Sequence, residues 1–243
     1  NTIIKENCTI GENSLFIVNN RLNKDIQLTI NSNVYIGRSM GMSYLGEDIK
    51  KLGFGLMRLP KKDEQIDIEQ TKEMVDLFMA AGFTYFDTAW AYAGSEDAIR
   101  QALVERYPRE SFQLATKNAA WIKCKTREEA IAQFDVSLKQ TGAGYFDFYL
   151  LHNLGDARTK VFDNFDMWNW IIEKKAEGRI KHIGFSFHST PEQLEEILKA
   201  HPEMEFVQLQ INYADWENPF PSEYDVDAAS EYISSFNDRI EQM

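Results

Sequence analysis

Cysteine is almost absent, with two residues in 243, Cys8 and Cys124. Two thiols cannot build a disulfide framework or a four-thiolate metal site. Free thiols of this kind suit a reducing cytoplasm, the expected location. Histidine is scarce at four residues, and no two histidines or carboxylates stand at ligand spacing, so no metal site is expected. Positive charge is in deficit: 26 Lys+Arg face 38 Asp+Glu, for a net charge of −12. Such a surface repels nucleic acid and anionic membrane, and no basic run overrides it. No apolar run is long enough to span a bilayer, and no signal-peptide pattern is present. No Gly-x-Gly-x-x-Gly follows an apolar run, which argues against a Rossmann domain. What remains is a globular composition, 44% hydrophobic and 26% charged, long enough for one large α/β barrel or two small domains.

Three unequal pieces follow one another. Residues 1–42 are rich in Asn, Ile and Thr, with an apolar residue at every sixth position: Ile4, Ile10, Phe16, Leu22, Leu28, Val34, Met40. A period of six is neither helical nor that of a single strand, and stacked short strands with turns account for it. The steps Ile10-Gly11 and Ile36-Gly37 resemble the hexapeptide repeats of left-handed β-helix acyltransferases. A hairpin pairing Leu15–Val18 with Gln27–Ile30 is the simpler reading. Either way the piece is expected to be a β-rich extension packed mostly on itself.

Residues 43–219 alternate strand and helix. The expected strands are Phe54–Leu59, Thr84–Ala89, Gln113–Lys117, Phe146–His152, His182–Phe187 and Phe206–Ile211, short apolar runs suited to burial on both faces. Helix signals lie between them. Asp67 precedes a face of Met74, Val75, Phe78 and Met79 that ends at Gly82, and Gly178 stops a later helix. Thr126 with Glu129 and Thr190 with Gln193 read as capping boxes, the second with Pro191 at the first helical position. This alternation implies a parallel sheet of the (β/α)8 TIM-barrel type, with a doubly wound sheet as its rival. Residues 220–243 carry one helical stripe, Ala229, Tyr232, Ile233, Phe236, Ile240 and Met243. An eight-stranded barrel takes about 250 residues. The barrel is therefore expected to be incomplete, with about six βα units. Its first and last strands would then have open edges available for self-association.

The polar residues that stand out sit where strands end: Asp87, Lys117 and His152, with Tyr92 on the loop after Asp87. In a barrel these ends converge on one catalytic rim. A free Tyr, with a pKa of about 10, is a poor proton donor near neutrality. A neighbouring Lys117 is expected to lower it, with Asp87 holding the lysine charged. His152 suits a neutral donor that positions a carbonyl oxygen. An acid poised at a carbonyl oxygen fits carbonyl reduction, with a cofactor supplying hydride. Lys117 also fits a Schiff-base aldolase, a reading that leaves Tyr92 and His152 without a role. Trp90 and Trp121 fall on rim loops as pocket walls or packing residues.

The segments Lys51-Leu-Gly-Phe-Gly-Leu-Met-Arg-Leu-Pro60, Phe86-Asp-Thr-Ala-Trp-Ala-Tyr92, Ala115-Thr-Lys117, Tyr149-Leu-Leu-His152 and Ile183-Gly-Phe-Ser186 resemble the aldo-keto reductase signatures in their usual order. The resemblance implies NADP(H)- or NAD(H)-dependent reduction of an aldehyde or ketone, with Tyr92 as general acid in a tetrad with Asp87, Lys117 and His152. It implies that Ser186 and Gln208 bind the nicotinamide carboxamide and that Gly55, Met57 and Asp87 lie along the cofactor. Phe187 stands where many members have Asn. The sequence around Asp147 and Trp216 resembles a bacterial branch that often adds a Cys-rich iron–sulfur tail, which two cysteines cannot form. The expected missing end would include a nicotinamide-stacking aromatic and the basic grip on the adenosine phosphate. The alternative is therefore a truncated or fused chain that keeps the tetrad but has little or no activity.

Overall fold

The computed structural model describes residues 16–19, 43–50 and 52–209. Most of the N-terminal periodicity lies outside the described residues, as do Cys8, Lys51, Trp216 and the Ala229–Met243 stripe. Seven parallel strands form one sheet: β1 (Phe16–Asn19), β2 (Leu52–Gly55), β3 (Tyr85–Asp87), β4 (Gln113–Asn118), β5 (Phe146–Leu154), β6 (Ile180–Phe187) and β7 (Phe206–Leu209). Their order in the sheet is their order in the chain. Strands β2 to β7 are the six expected barrel strands. They form a parallel, curled sheet matching an incomplete (β/α)8 barrel. The expected Phe54–Leu59 strand starts earlier and stops at Gly55, because the chain turns at Met57 and Arg58.

Helices connect the strands: α1 (Ile68–Ala80), α2 (Ser95–Ile99), α3 (Arg127–Thr141), α4 (Asp156–Asn164), α5 (Met167–Ala176) and α6 (Pro191–Ala200). Their starts follow the expected caps. Asp67 Oδ1 accepts from Gln70 N at 3.0 Å, and the Thr126 and Thr190 hydroxyls accept from Glu129 N and Gln193 N. The reciprocal arm from Glu129 reaches one residue further back than a capping box requires, accepting from Lys125 N at 2.6 Å.

Successive side chains of a strand point to opposite faces, and this alternation sorts the core. Phe86, Leu114, Tyr149, Leu151, Ile183 and Phe185 pack against the helices. Tyr85, Ala115, Phe148 and Leu150 form a smaller inner cluster with Ile49. Ile49 follows a short hairpin (Ser43–Tyr44 with Glu47–Asp48) whose Glu47 meets Lys181 and His182 near the start of β6. This hairpin lies at the end of the barrel where the strands begin. Gly184 is required where β6 meets β7, since a Cβ there would stand 2.3 Å from the Phe206 carbonyl oxygen.

The N-terminal strand has a partner that the sequence did not suggest: β1 pairs in parallel with β2 (Phe16↔Leu52, Val18↔Phe54, Asn19↔Gly55), while Gln27–Ile30, the expected hairpin partner, lies outside the described residues. The edge of the first barrel strand is therefore covered, not open. The cause is an unpaired row of N–H and C=O groups meeting a β-favouring Phe-Ile-Val run.

Candidate active site

The inner face of the sheet carries a cluster of polar groups at the end where the strands finish. The alternation that turns Tyr85, Ala115, Phe148 and Phe206 inward does the same, two or four residues on, for Asp87, Lys117, His152 and Gln208. Ser186 is level with Gln208 on the adjacent strand. All of these lie at or near the carboxyl ends of their strands, the catalytic rim of this fold.

At the centre is an ion pair in the barrel wall. Lys117 Nζ donates to Asp87 Oδ1 at 2.7 Å and to the Thr88 carbonyl at 2.7 Å. Both side chains are buried, 1% and 3% exposed. Burial works to lower the lysine's affinity for its proton, but the charge of Asp87 and the hydrogen bonds to Asp87 and Tyr92 outweigh it. Lys117 is therefore raised above its usual value and held as the cation. The other oxygen of Asp87, Oδ2, accepts from Gln208 Nε2 at 3.3 Å. Thus β3, β4 and β7 meet through Asp87.

Tyr92 lies over this pair, its ring centroid 5.1 Å from Lys117 Nζ and 5.6 Å from the His152 ring at a near-perpendicular 83°. The expectation that Lys117 brings the phenol below its ordinary value is corrected. Burial raises the Tyr92 hydroxyl, and Lys117 pulls it only part of the way back. The phenol is accordingly neutral in the resting protein. His152 moves the other way: burial, then the charges of Lys117, His188 and Arg158, holds its pKa well below the usual value, so the imidazole is neutral. Its Nδ1 is buried with no hydrogen-bond partner among the described residues.

Of the remaining expected residues, Gly55 is buried at the end of β2, paired with Asp87, and Met57 is 48% exposed on the following turn. Ser186 is buried, and its hydroxyl accepts from Asn153 N at 2.7 Å. Gln208 Oε1 is buried and has no hydrogen-bond partner among the described residues. Phe187 is buried in the helix-side core, on the face opposite Ser186. Trp90 N donates to the Lys117 carbonyl at 3.2 Å. Trp121 Nε1 donates to the His152 carbonyl at 2.9 Å, and its ring lies 6.2 Å from the imidazole.

Two features went unread in the sequence. Asn153, directly after His152, has a left-handed backbone (φ 59°), which Asn tolerates better than most residues. Its carbonyl accepts from Arg158 Nε at 2.7 Å. Glu96 is buried at 2% on α2, and its only sequence signal is an acid two residues before an apolar pair, Ala98-Ile99.

Comparison with known proteins bears on this arrangement. The model of the Aldo/keto reductase family matches residues 51–229. An aldo-keto reductase of Mycolicibacterium smegmatis is 29% identical over 154 residues, covering 63% of this chain and 51% of that protein. A D-galacturonate reductase of Fragaria ananassa is 28% identical over 198 residues, covering 74% of this chain and 60% of its own length. Among solved structures, an aldo/keto reductase from Brucella melitensis has a TM-score of 0.54 at 27% identity, covering 68% of this chain and 59% of that one. A holo-form aldo-keto reductase from Bacillus halodurans gives 0.52 at 26%, covering 67% and 54%. The chain spans about half the length of the curated bacterial relatives it matches, 51% for each of three.

Proposed function

The chain belongs to the aldo/keto reductase family, and from that premise we propose that it reduces an aldehyde or ketone to an alcohol with NAD(P)H, using Tyr92 as proton donor. The observation that carries this reading is the meeting of a neutral buried phenol with a buried, ion-paired lysine at one rim.

A bound dinucleotide would supply hydride to the carbonyl carbon. Tyr92 gives its proton to the carbonyl oxygen as charge develops there. Lys117, already a cation before the reaction, stabilises the phenolate that Tyr92 becomes. Asp87 holds Lys117 in place through the 2.7 Å contact. Neutral His152 orients the carbonyl, since an imidazole that stays uncharged donates a hydrogen bond without offering a competing proton. For the cofactor, the donor set fits a carboxamide: Gln208 Oε1 is a buried acceptor without a partner among the described residues, and the Ser186 hydroxyl retains its own proton to donate. Gly55 and Met57 would line the same cofactor, and Asp87 would lie beneath it.

Lys117 as a Schiff-base nucleophile fits less well. That chemistry needs a neutral amine with a free lone pair, whereas this amine is charged and donates to Asp87 and Thr88. The substrate side is a small carbonyl compound. A free thiol at Cys124 and a reduced dinucleotide both suit the cytoplasm. Self-association through a sheet edge would use the outer edge of β1 or that of β7, the two ends of the strand order among the described residues.

The test is an NADPH fluorescence titration followed by turnover with a panel of aldehydes and ketones. Saturable binding with carbonyl-dependent oxidation of NADPH, lost in Tyr92→Phe, supports the reading. Binding without turnover on any carbonyl would leave a chain that keeps the tetrad but does not catalyse.

A further inference from the structure

We infer that Ser95 and Glu96 form a positioning device that clamps the Tyr92 loop to the strand carrying Lys117, and so sets the separation of acid and cation. The inference rests on Tyr92 being the proton donor.

The loop closes in two short turns, Tyr92 N donating to the Ala89 carbonyl and Ser95 N to the Tyr92 carbonyl, each at 3.0 Å. Ser95 then ties it down twice. Its hydroxyl donates to the Leu56 carbonyl at 3.0 Å, just past β2, and lies 2.7 Å from the Thr88 hydroxyl, just past β3. Glu96 adds the third strand, its Oε1 accepting from the Thr116 hydroxyl at 2.7 Å. Thr116 and Lys117 are neighbours on β4 and point to opposite faces. Glu96 therefore holds the lysine strand from behind while Tyr92 meets Lys117 in front. Ser95, Glu96, Thr88 and Thr116 are all buried, so water does not compete for these bonds.

A buried carboxyl is a costly choice for a strut unless it is uncharged or paired. Burial raises the Glu96 carboxyl, with Thr116 and Ser137 partly opposing. Among the described residues, Glu96 Oε2 and Ser137 Oγ, both buried, have no hydrogen-bond partner. A neutral Glu96 resolves this: one oxygen accepts from Thr116 and the proton on the other faces Ser137. Neutrality also keeps Glu96 from competing with Asp87 for Lys117, whose charge reaches it through the strand.

The experiment uses the full chain labelled with 13Cζ-tyrosine, with Tyr92 assigned by comparison with Tyr92→Phe and followed by NMR through its alkaline onset of ionisation. This readout needs no turnover, so it stands apart from failure of the reductase reading. Glu96→Gln keeps acceptor and donor and should leave the onset where it is. Glu96→Ala and Thr116→Val should move it up by roughly one pH unit as Lys117 retreats by about an ångström. Turnover should fall about tenfold, for the same loss of cation support, with NADPH affinity unchanged. If Glu96→Ala does not fold, Thr116→Val, nearly equal in shape and lacking the donor, decides alone. A folded Thr116→Val with the original onset would overturn the inference, as would Glu96→Gln shifting as far as Glu96→Ala.

Discussion

Replacing Asp87 by Asn removes one charge from the most deeply buried ion pair at the rim and leaves the other in place. Lys117 Nζ sits 2.7 Å from Asp87 Oδ1, with the two side chains 1% and 3% exposed, so solvent screening is slight. Breaking a buried pair by deleting one partner costs about 3–5 kcal/mol, because the remaining charge has no compensation. Lys117 can escape that cost by losing its proton. If its pKa falls by about three units, the energy involved is about 4 kcal/mol, within the same range. The sign with pH follows. In the parent protein the folded lysine holds its proton more tightly than the unfolded one. The lysine's contribution is therefore full below a pH of about 10.4 and is lost as pH rises through the raised folded value. In Asp87→Asn the order reverses: between its lowered folded value and about 10.4 the unfolded chain binds more protons, so stability rises with pH. Urea unfolding followed by tryptophan fluorescence should show a deficit of about 3–5 kcal/mol at about pH 7, shrinking steadily toward about pH 9.5. A deficit below about 1 kcal/mol, as for an exposed pair, or one that does not change with pH, would refute the account of Lys117.

Tyr92→Phe should lower turnover by about 10²- to 10⁴-fold, the worth of a positioned proton donor, with little change in NADPH affinity; a comparable loss of affinity would mean the hydroxyl serves binding instead. Because burial holds the His152 pKa well below its usual value, the kcat/KM profile should show no inflection near about pH 6.5. An inflection there that disappears in His152→Gln would contradict a neutral imidazole. Gln208→Leu should raise the NADPH dissociation constant by about tenfold, as for a buried polar contact worth about 1.5 kcal/mol, and an unchanged constant would remove Gln208 from the cofactor set. Deleting residues 1–42 strips β1 from β2, and a loss of about 2 kcal/mol should lower Tm by about 4–8 °C; an unchanged Tm would mean the strand adds no stability.

How much of this was legible in the sequence depended on how local each cause is. The six barrel strands could be read because a strand buried on both faces carries a short continuous apolar run, as Phe148–Leu151 does within β5. The alternation within those runs then carried Asp87, Lys117 and His152 to one face, a matter of counting residues. The partner of β1 was not legible. Phe16–Asn19 takes whichever edge is open, and an edge exists only after the sheet has formed. Glu96 was hidden for a similar reason, since its value lies in Thr116, which only folding brings to it.

The charge state of Tyr92 was misread for a more instructive reason. Sequence places a cation beside the phenol and suggests a lowered pKa, but it cannot weigh that cation against burial. In the folded protein burial has the larger effect, and the hydroxyl rises. For a proton donor this is the better arrangement. A phenol already half ionised would have lost part of the proton it must give, whereas a raised one is fully loaded at neutral pH. The lysine then acts at a different moment. Its charge, fixed by Asp87 before any substrate arrives, is worth most when the proton has left and phenolate stands in a site of low dielectric. Burial keeps the acid protonated and Lys117 stabilises its conjugate base, so removing the cation should slow the proton transfer while leaving the resting tyrosine neutral.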